Sequence, residues 1–266
     1  MKLSILIVNW NTRELVIKCV DSILSAAPAF EFEIIVVDNA SRDGSASALR
    51  EKFGNEKRVK IVSADQNLGF ARGVNLAYKN SAGEFILLLN PDTEAKTGSL
   101  AELVNYLQAH PDAEIVGGKI LNPDGTVQPS VRRFPDLWSS FLVFTGLQYV
   151  IRPRKYLMDG FDYAKESEVD QVMGAVLLTR RSTIEKLGFL DENFWLWYEE
   201  VDFCYRVKHE GGPDAAVGAG KVVYYPEAVF VHHGGKSFAQ LPVWKRKLIL
   251  ARSLAYYFKK RWSKKR

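Results

Sequence analysis

Residues 85–93 read FILLLNPDT. Five consecutive apolar residues have the length and composition of a strand buried on both faces, and Pro91 closes the run. A carboxylate, Asp92, is left just beyond the tip of that strand, beside Asn90. In an open α/β sheet, ligands sit at the carboxyl ends of the strands. An oxygen ligand placed there suits a hard divalent cation bridging two phosphates, with Asn90 as a neutral neighbour. Asn-Pro-Asp is also ordinary turn chemistry, so other stretches must distinguish a site from a loop.

The preceding stretches build a frame for that strand. Residues 3–8, apolar but for Ser4, end in Asn9; residues 33–37, apolar after Glu33, end in Asp38; residues 59–62 give a third short strand. Between them run helical periods over 13–26, where Thr12 is a candidate cap and Pro28 a stop, over 45–52, and from Gly69 through Tyr78. Strand and helix thus alternate through the first 90 residues, which predicts a mostly parallel, doubly wound α/β sheet. Asn9, Asp38, Asn90 and Asp92 then line one edge of it, where polar groups hydrogen-bond a base and ribose while a metal holds phosphates. There is no G-x-G-x-x-G after the first strand and no G-x-x-x-x-G-K-[ST] anywhere. A nucleotide bound here has its diphosphate handled by a metal and side chains, and Arg72 is a candidate helper.

The second half is built differently. A helix over 98–108 and a strand over 115–121 lead to Asn122-Pro-Asp-Gly, a strong turn that predicts a hairpin with 126–131. Residues 138–149 are rich in aromatics and are followed by Arg152, Arg154 and Lys155, the pattern of a packed helix, a lid or a membrane-facing wall. Residues 169–178 read as a strand with the small residues Gly174 and Ala175 inside it, 182–187 as a helix ending at Gly188, and 222–225 and 228–231 as two short strands. Glu199, Glu200 and Asp202 follow Trp195, Trp197 and Tyr198. Three carboxylates beside apolar walls are candidate general bases, with Glu199 and Asp202 expected on one helical face and Glu200 pointing elsewhere. His232 and His233, followed by two glycines, suggest a metal or phosphate site in a loop.

At 266 residues the chain has the length of one large α/β domain, and its 25% charged residues are ordinary for a folded protein. Cys19 and Cys204 sit in apolar periodic segments, which predicts buried thiols, no disulfide and a reducing compartment. A strand begins almost at Met1 and no apolar run reaches the length of a membrane span, so neither a signal peptide nor a transmembrane segment is expected. The net charge of +5 is unevenly distributed. Residues 243–266 hold ten Lys or Arg and no acid, leaving 26 basic and 31 acidic groups in the rest. Apolar Trp244, Leu248, Ala251, Leu254 and Phe258 share a helical stripe in that segment. The pattern predicts a basic amphipathic helix and tail that meets an anionic membrane surface, with a closing helix packed on the domain as the other reading. Nucleic acid is not expected as a partner, because the acidic body would repel its backbone.

The motifs ILIVNWN at 5–11, IIVVDNASRDGS at 34–45, NLGFARGVN at 67–75, LLLNPD at 87–92, WYEEVDFCYR at 197–206 and VHHGGKS at 231–237 occur in this order. Together they resemble the family 2 glycosyltransferases, in particular the bacterial rhamnosyltransferase-like subgroup of cell-surface polysaccharide assembly. The resemblance implies a GT-A fold with an elaborated C-terminal acceptor-binding half. It divides the chain into a glycosyltransferase domain over 1–242, with nucleotide-binding (1–120) and acceptor (121–242) halves, and the basic segment 243–266. It further implies a nucleoside-diphosphate sugar donor, magnesium or manganese, and an inverting reaction. In that frame Asn9, Asp38 and Asp65 belong to the nucleotide pocket, with Arg72 near the diphosphate. Asp92 takes the place of the last aspartate of the family's metal-binding DxD motif, whose first position is Asn90 here. His232 completes the metal site, with His233 as the alternative. Glu200 stands where the family most often has the aspartate of a Glu-Asp pair and is expected to be the catalytic base, with Glu199 and Asp202 in support. Trp195, Trp197 and Met173 would shape the acceptor side. The expected acceptor is a polyprenyl-diphosphate-linked saccharide at the cytoplasmic face of the bacterial membrane, where the protein would be peripheral. The rival readings are a sugar nucleotidylyltransferase, which would need a basic glycine-rich loop after the first strand, and a non-catalytic membrane- or polysaccharide-binding module.

Overall fold

A computed structural model describes residues 1–210 and 220–263. The first half follows the predicted alternation: β1 (Leu3–Asn9), α1 (Arg13–Ser25), β2 (Phe32–Asp38), α2 (Ser45–Phe53), β3 (Val59–Ser63), α3 (Phe70–Lys79) and β4 (Phe85–Leu89). A short β5 (Thr93–Ala95), α4 (Ser99–Ala109) and β6 (Ala113–Leu121) come next. The second half adds β7 (Val131–Arg132), α5 (Leu137–Thr145), a 3-10 turn at Leu147–Tyr149, α6 (Arg154–Leu157), β8 (Ser167–Glu168), β9 (Gln171–Val172) and β10 (Val176–Arg180). It closes with α7 (Arg181–Leu187), α8 (Glu199–His209), β11 (Lys221–His232), α9 (Lys236–Ala239) and α10 (Val243–Ser263).

The main sheet runs β3-β2-β1-β4-β10-β6-β11-β5, with β8 also paired to β11. Strands β1 to β4 are mutually parallel, as the alternation requires. β10 enters between β4 and β6 antiparallel to both, so the sheet is mixed at its centre. Helices cover both faces. On β1, Leu3, Ile5 and Ile7 pack with Val16, Val20 and Ile23 of α1, whereas Leu6 and Val8 pack with Ala71, Val74 and Ala77 of α3. β4 divides in the same way, Phe85, Leu87 and Leu89 against Ile86 and Leu88. This two-sided burial is why both strands are apolar at nearly every position instead of alternating.

Several local expectations are corrected. Thr12 makes no cap hydrogen bond; its hydroxyl donates to Asn9 Oδ1 at 2.7 Å. The hairpin after 122–125 is a single bridge, Leu121 to Val127, beyond which Pro129 has no N–H to offer and the chain leaves for β7. The strand expected over 169–178 is split, because residues 173–175 turn away between β9, which pairs with β7, and β10. The two short strands expected after 221 are one, β11, whose register against β6 slips between Tyr225 and Val229, around Pro226.

α10 packs on the body. Tyr257 is 2% exposed and shares a cluster with Phe194, Tyr198 and Val201. The surface it meets is acidic. Lys260 Nζ lies 2.6 Å from Asp191 and 3.0 Å from Asp202, and Arg261 lies 2.6 Å from Asp202 and 3.2 Å from Glu210. Lys264, Lys265 and Arg266 of the expected basic tail lie outside the described residues. No helix among the described residues is long and apolar enough to cross a membrane.

Candidate active site

The carboxyl ends of β1, β2 and β4 open into a cavity of about 710 Å³. Val8, Trp10, Asn39, Asn67, Asn90 and Asp92 line it on the sheet side. Residues 173–175, Trp195, Trp197, Glu199 and Glu200 add the rest of the wall, with Phe238 and Leu241 after β11. Phe238 packs edge-on against Trp197, ring centres 5.3 Å apart, and Gln240 donates to Asn11 O at 2.7 Å. The segment after β11 therefore crosses the cavity mouth.

Strand pairing brings Asp92 to His232. β5 runs antiparallel to β11 with His232 opposite Thr93, so the last residue of β11 stands beside the end of the β4 turn. His232 Nε2 lies 3.2 Å from Asp92 Oδ1 and 3.4 Å from Asn90 Nδ2. A second layer sets the ring. Gln128 Nε2 donates to Asn122 Oδ1 at 2.8 Å, which leaves Gln128 Oε1 facing His232 Nδ1 at 2.7 Å. Gln128 Oε1 thus fixes the proton on Nδ1 and leaves Nε2 as the ring nitrogen that faces Asp92. An imidazole nitrogen and a carboxylate oxygen this close are a donor pair that a divalent cation can share. Among the described residues no group of three or more His, Cys, Asp or Glu is arranged to hold a metal. A divalent ion that takes its other ligands from a diphosphate and water needs only one or two from the protein, and Asp92 with His232 fits that demand.

Across the cavity, Trp197 and Tyr198 both adopt left-handed backbone, φ 66° and 73°, immediately before α8. For aromatic residues this costs about 1–2 kcal/mol each and is held by packing. The turn sends both Glu199 and Glu200 into the cavity wall. One oxygen of each, Oε2, is buried without a hydrogen-bond partner. Burial, then the neighbouring Glu200 charge, pushes the Glu199 carboxyl well above the ordinary range; burial also raises Glu200. Gly174 faces Glu200, and a methyl group there would lie 3.5 Å from its side chain.

The other predicted residues fall in distinct places. Asn9 and Asp38 lie side by side, buried and outside the cavity lining, next to Trp10 and Asn39 that do line it: Asn9 Nδ2 donates to Asp38 Oδ1 at 3.0 Å, and the Ser41 N–H reaches Asp38 Oδ2 at 3.1 Å. Asp65 is exposed and does not line the cavity. Arg72 is exposed too, 3.7 Å from Glu192, and is likewise outside the lining. His233 turns to Glu94, with Nε2 2.7 Å from the carboxylate, so His232 is the histidine beside Asp92. Asp202 corrects the expectation that it shares a face with Glu199 while Glu200 points elsewhere. It is fully buried on the far side of α8, 2.7 Å from Arg206 and held by Lys260 and Arg261. The two glutamates share the cavity, and Asp202 anchors the helix that carries them.

The profile described as glycosyl transferase family 2 matches residues 4–185. The chain belongs to this family. It is 28% identical over 238 residues to the N-acetylglucosaminyl-diphospho-decaprenol L-rhamnosyltransferase of Mycobacterium tuberculosis, covering 82% of this chain and 72% of that protein. It is also 28% identical to the low-salt glycan biosynthesis hexosyltransferase Agl10 of Haloferax volcanii, over 78% of this chain and 62% of that one. Among solved structures, the mannosyltransferase PcManGT of Pyrobaculum calidifontis, in complex with GDP-Man and Mn2+, superposes with a TM-score of 0.65 at 18% identity. That match covers 97% of this chain and 64% of the other, and it establishes the shared GT-A fold.

In this family 2 chain the cavity also draws on residues that the sequence reading passed over. Asn39 donates to Asn67 Oδ1 and Gly69 O, both at 3.1 Å, and accepts from the Leu68 N–H at 2.8 Å, tying the β2 tip to the loop before α3. Its place next to Asp38 was the available signal. Trp10 offers the cavity an aromatic wall just after β1. Gln128, which sets the His232 ring, lies in an irregular loop and carried no pattern by which to find it.

Proposed function

We propose that this protein is an inverting, metal-dependent glycosyltransferase that moves a hexose or deoxyhexose, rhamnose being the leading candidate, from a nucleoside-diphosphate sugar to a saccharide carried on a polyprenyl diphosphate. One juxtaposition carries the reading: Asp92 with His232 and the partly unsatisfied Glu199–Glu200 pair line a single cavity. The resemblance to the mycobacterial rhamnosyltransferase supports the choice of sugar and acceptor. Residues 1–120 would supply most of the donor side and 121–242 the acceptor side, with Asn9 and Asp38 framing the nucleoside end beneath Trp10 and Asn39.

Asp92 and His232 would hold magnesium or manganese, which when bound offsets charge on the departing diphosphate. Glu200 Oε2 takes the proton of the acceptor hydroxyl. The acceptor oxygen forms its bond to the anomeric carbon as the bond from that carbon to the diphosphate oxygen breaks, and the single displacement inverts the centre. Glu199, which burial and then the Glu200 charge hold well above the ordinary carboxylate range, would keep its proton and spare Glu200 a second adjacent negative charge. The transfer is placed on the inner face of the cytoplasmic membrane, where such acceptors are presented.

A panel of nucleotide sugars with a polyprenyl-diphosphate saccharide acceptor tests this. Glu200→Gln should fold and bind donor normally while kcat falls about a hundred- to ten-thousandfold. Asp92→Asn should weaken manganese-dependent nucleotide binding at least about tenfold by titration calorimetry. Full turnover by Glu200→Gln alongside an inactive Glu199→Gln would move the base by one residue. Unchanged nucleotide binding in Asp92→Asn would remove the metal from this place.

A further inference from the structure

α5 is amphipathic in the reverse of the usual sense. Its small polar residues Ser139 and Ser140 face inward with Leu142, whereas Trp138 and Phe141 point out, 59% and 50% exposed. The two outward rings stack at 6.0 Å. The chain continues outward past the 3-10 turn, with Tyr149 at 88% and Val150 at 83% exposure. A helix shaped only by the domain core would have buried its aromatics. It is also not a loosely held segment: Asp136 and Ser139 cap it reciprocally, with the Ser139 N–H 2.7 Å from Asp136 Oδ1. α10 packs against α5 and adds exposed Trp244 and Leu248 in its first turns.

Charge says what covers this face. Residues 137–158 contain no Asp or Glu and end in Arg152, which pairs with Asp159 at 2.8 Å, and in Arg154 and Lys155; residues 240–263 likewise contain none and begin α10 with Lys245, Arg246 and Lys247. We infer that the α5 ridge with the start of α10 is a docking surface for an anionic lipid bilayer. The aromatics enter the boundary between headgroups and acyl chains, and the flanking cations meet lipid phosphates. A second copy fits poorly. A twofold contact would bring the same patch against itself and set like-charged fringes face to face.

The structure thus moves the membrane contact away from the extreme C-terminus. Lys260 and Arg261 are committed to Asp191, Asp202 and Glu210 inside the molecule. This surface does not depend on the glycosyltransferase reading, although that reading supplies a reason for it, since a lipid-borne acceptor lies in the same plane.

Flotation of the full-length protein with vesicles tests the inference, using phosphatidylcholine alone or mixed with phosphatidylglycerol. Wild type should float with the anionic vesicles and less so as salt rises. Trp138→Ser with Phe141→Ser should lower binding at least about tenfold. Lys245→Gln with Lys247→Gln should lower it several-fold and flatten the salt dependence, roughly as two lost surface charges require. Removing residues 264–266 should change it less than either pair. Circular dichroism melting, and turnover on a donor with a soluble acceptor, should match wild type in all three; none of the four substituted residues lines the cavity. Wild-type flotation by the Trp138/Phe141 variant overturns the surface. So does complete loss on removing 264–266, or a dimer in sedimentation that the Trp138/Phe141 variant abolishes. Flotation reads out without catalysis, so a protein that floats as expected but transfers no sugar would refute the proposed activity and leave this surface standing.

Discussion

Glu199 and Glu200 are adjacent in sequence, buried at the same wall and raised for partly different reasons. For Glu200 burial comes first, whereas for Glu199 burial is joined by its neighbour's charge. A base must be deprotonated to work, so activity should rise with pH through a midpoint above the ordinary carboxylate range. Glu199→Gln removes the neighbour but not the burial, and its acidic limb should stay above that range; a limb that drops into it would show that the neighbour's charge set the value. Stability follows the opposite sign. The folded state keeps protons that the unfolded chain releases, so stability should fall as pH rises from the ordinary glutamate value through the raised one, and Glu199→Gln should reduce that fall in urea titrations at several pH values. At this scale the sequence was informative where a polar residue follows a buried strand: Asp92 and His232, picked out in that way, both line the cavity, whereas Asn9 and Asp38 are buried beside it. It misled at Asp202, because a helical period shows which residues share a face and not which face looks inward. The partners that decide the matter, Lys260 and Arg261, arrive 58 and 59 residues later.

At the scale of elements, α8 holds the catalytic candidates at its first turn and is pinned from behind. Asp202 takes Arg206 at 2.7 Å, and Arg206 in turn donates to Leu187 O and Gly188 O at 2.8 Å and to Phe189 O. The network ties α8 to the end of α7 and the loop after it. Asp202→Asn leaves Arg206 and Arg261 buried with less counter-charge and should cost about 3–5 kcal/mol of unfolding free energy. Denaturant unfolding measures this directly, and a loss under 1 kcal/mol would mean the arginines relax to solvent. The same change should depress kcat only as far as α8 shifts, far less than Glu200→Gln. Elements of the first half were legible because β1, β2 and β4 are buried on both faces and a helix joins each of β1 to β4 to the next. Those of the second half depend on backbone events that a hydrophobic pattern does not record. The slip in β11 around Pro226 and the turn at 173–175 are both of this kind, and the second matters for function because it places Gly174 opposite Glu200.

For the whole molecule the question is where the domain ends. Composition draws a line near 243, where Lys and Arg begin to crowd, but packing does not. Tyr257 stacks beside Tyr198 with ring centres 5.5 Å apart, Tyr256 meets Phe194 at 4.9 Å, and the Ser253 hydroxyl donates to Leu196 O at 2.8 Å. These contacts fall on the segment from 194 to 198 that forms the outer wall of the cavity and carries the strained turn before α8. Left-handed backbone at Trp197 and Tyr198 persists only while its surroundings hold it, and α10 supplies much of that hold. A chain ending at residue 242 would uncover Phe194 and Tyr198 and strip Asp202 of two of its three cations. It should lose at least about 3 kcal/mol of stability, seen as a lower urea midpoint, and the strained turn should relax. Donor binding, which the proposed function assigns to the β1, β2 and β4 tips, should survive better than transfer, for which Glu199 and Glu200 must be held in place. Removal of 264–266 alone should reproduce neither effect. If the 1–242 chain unfolds at the wild-type midpoint with an unchanged m-value, α10 is an appendage, and the turn at 197–198 must be held by the sheet-side contacts alone.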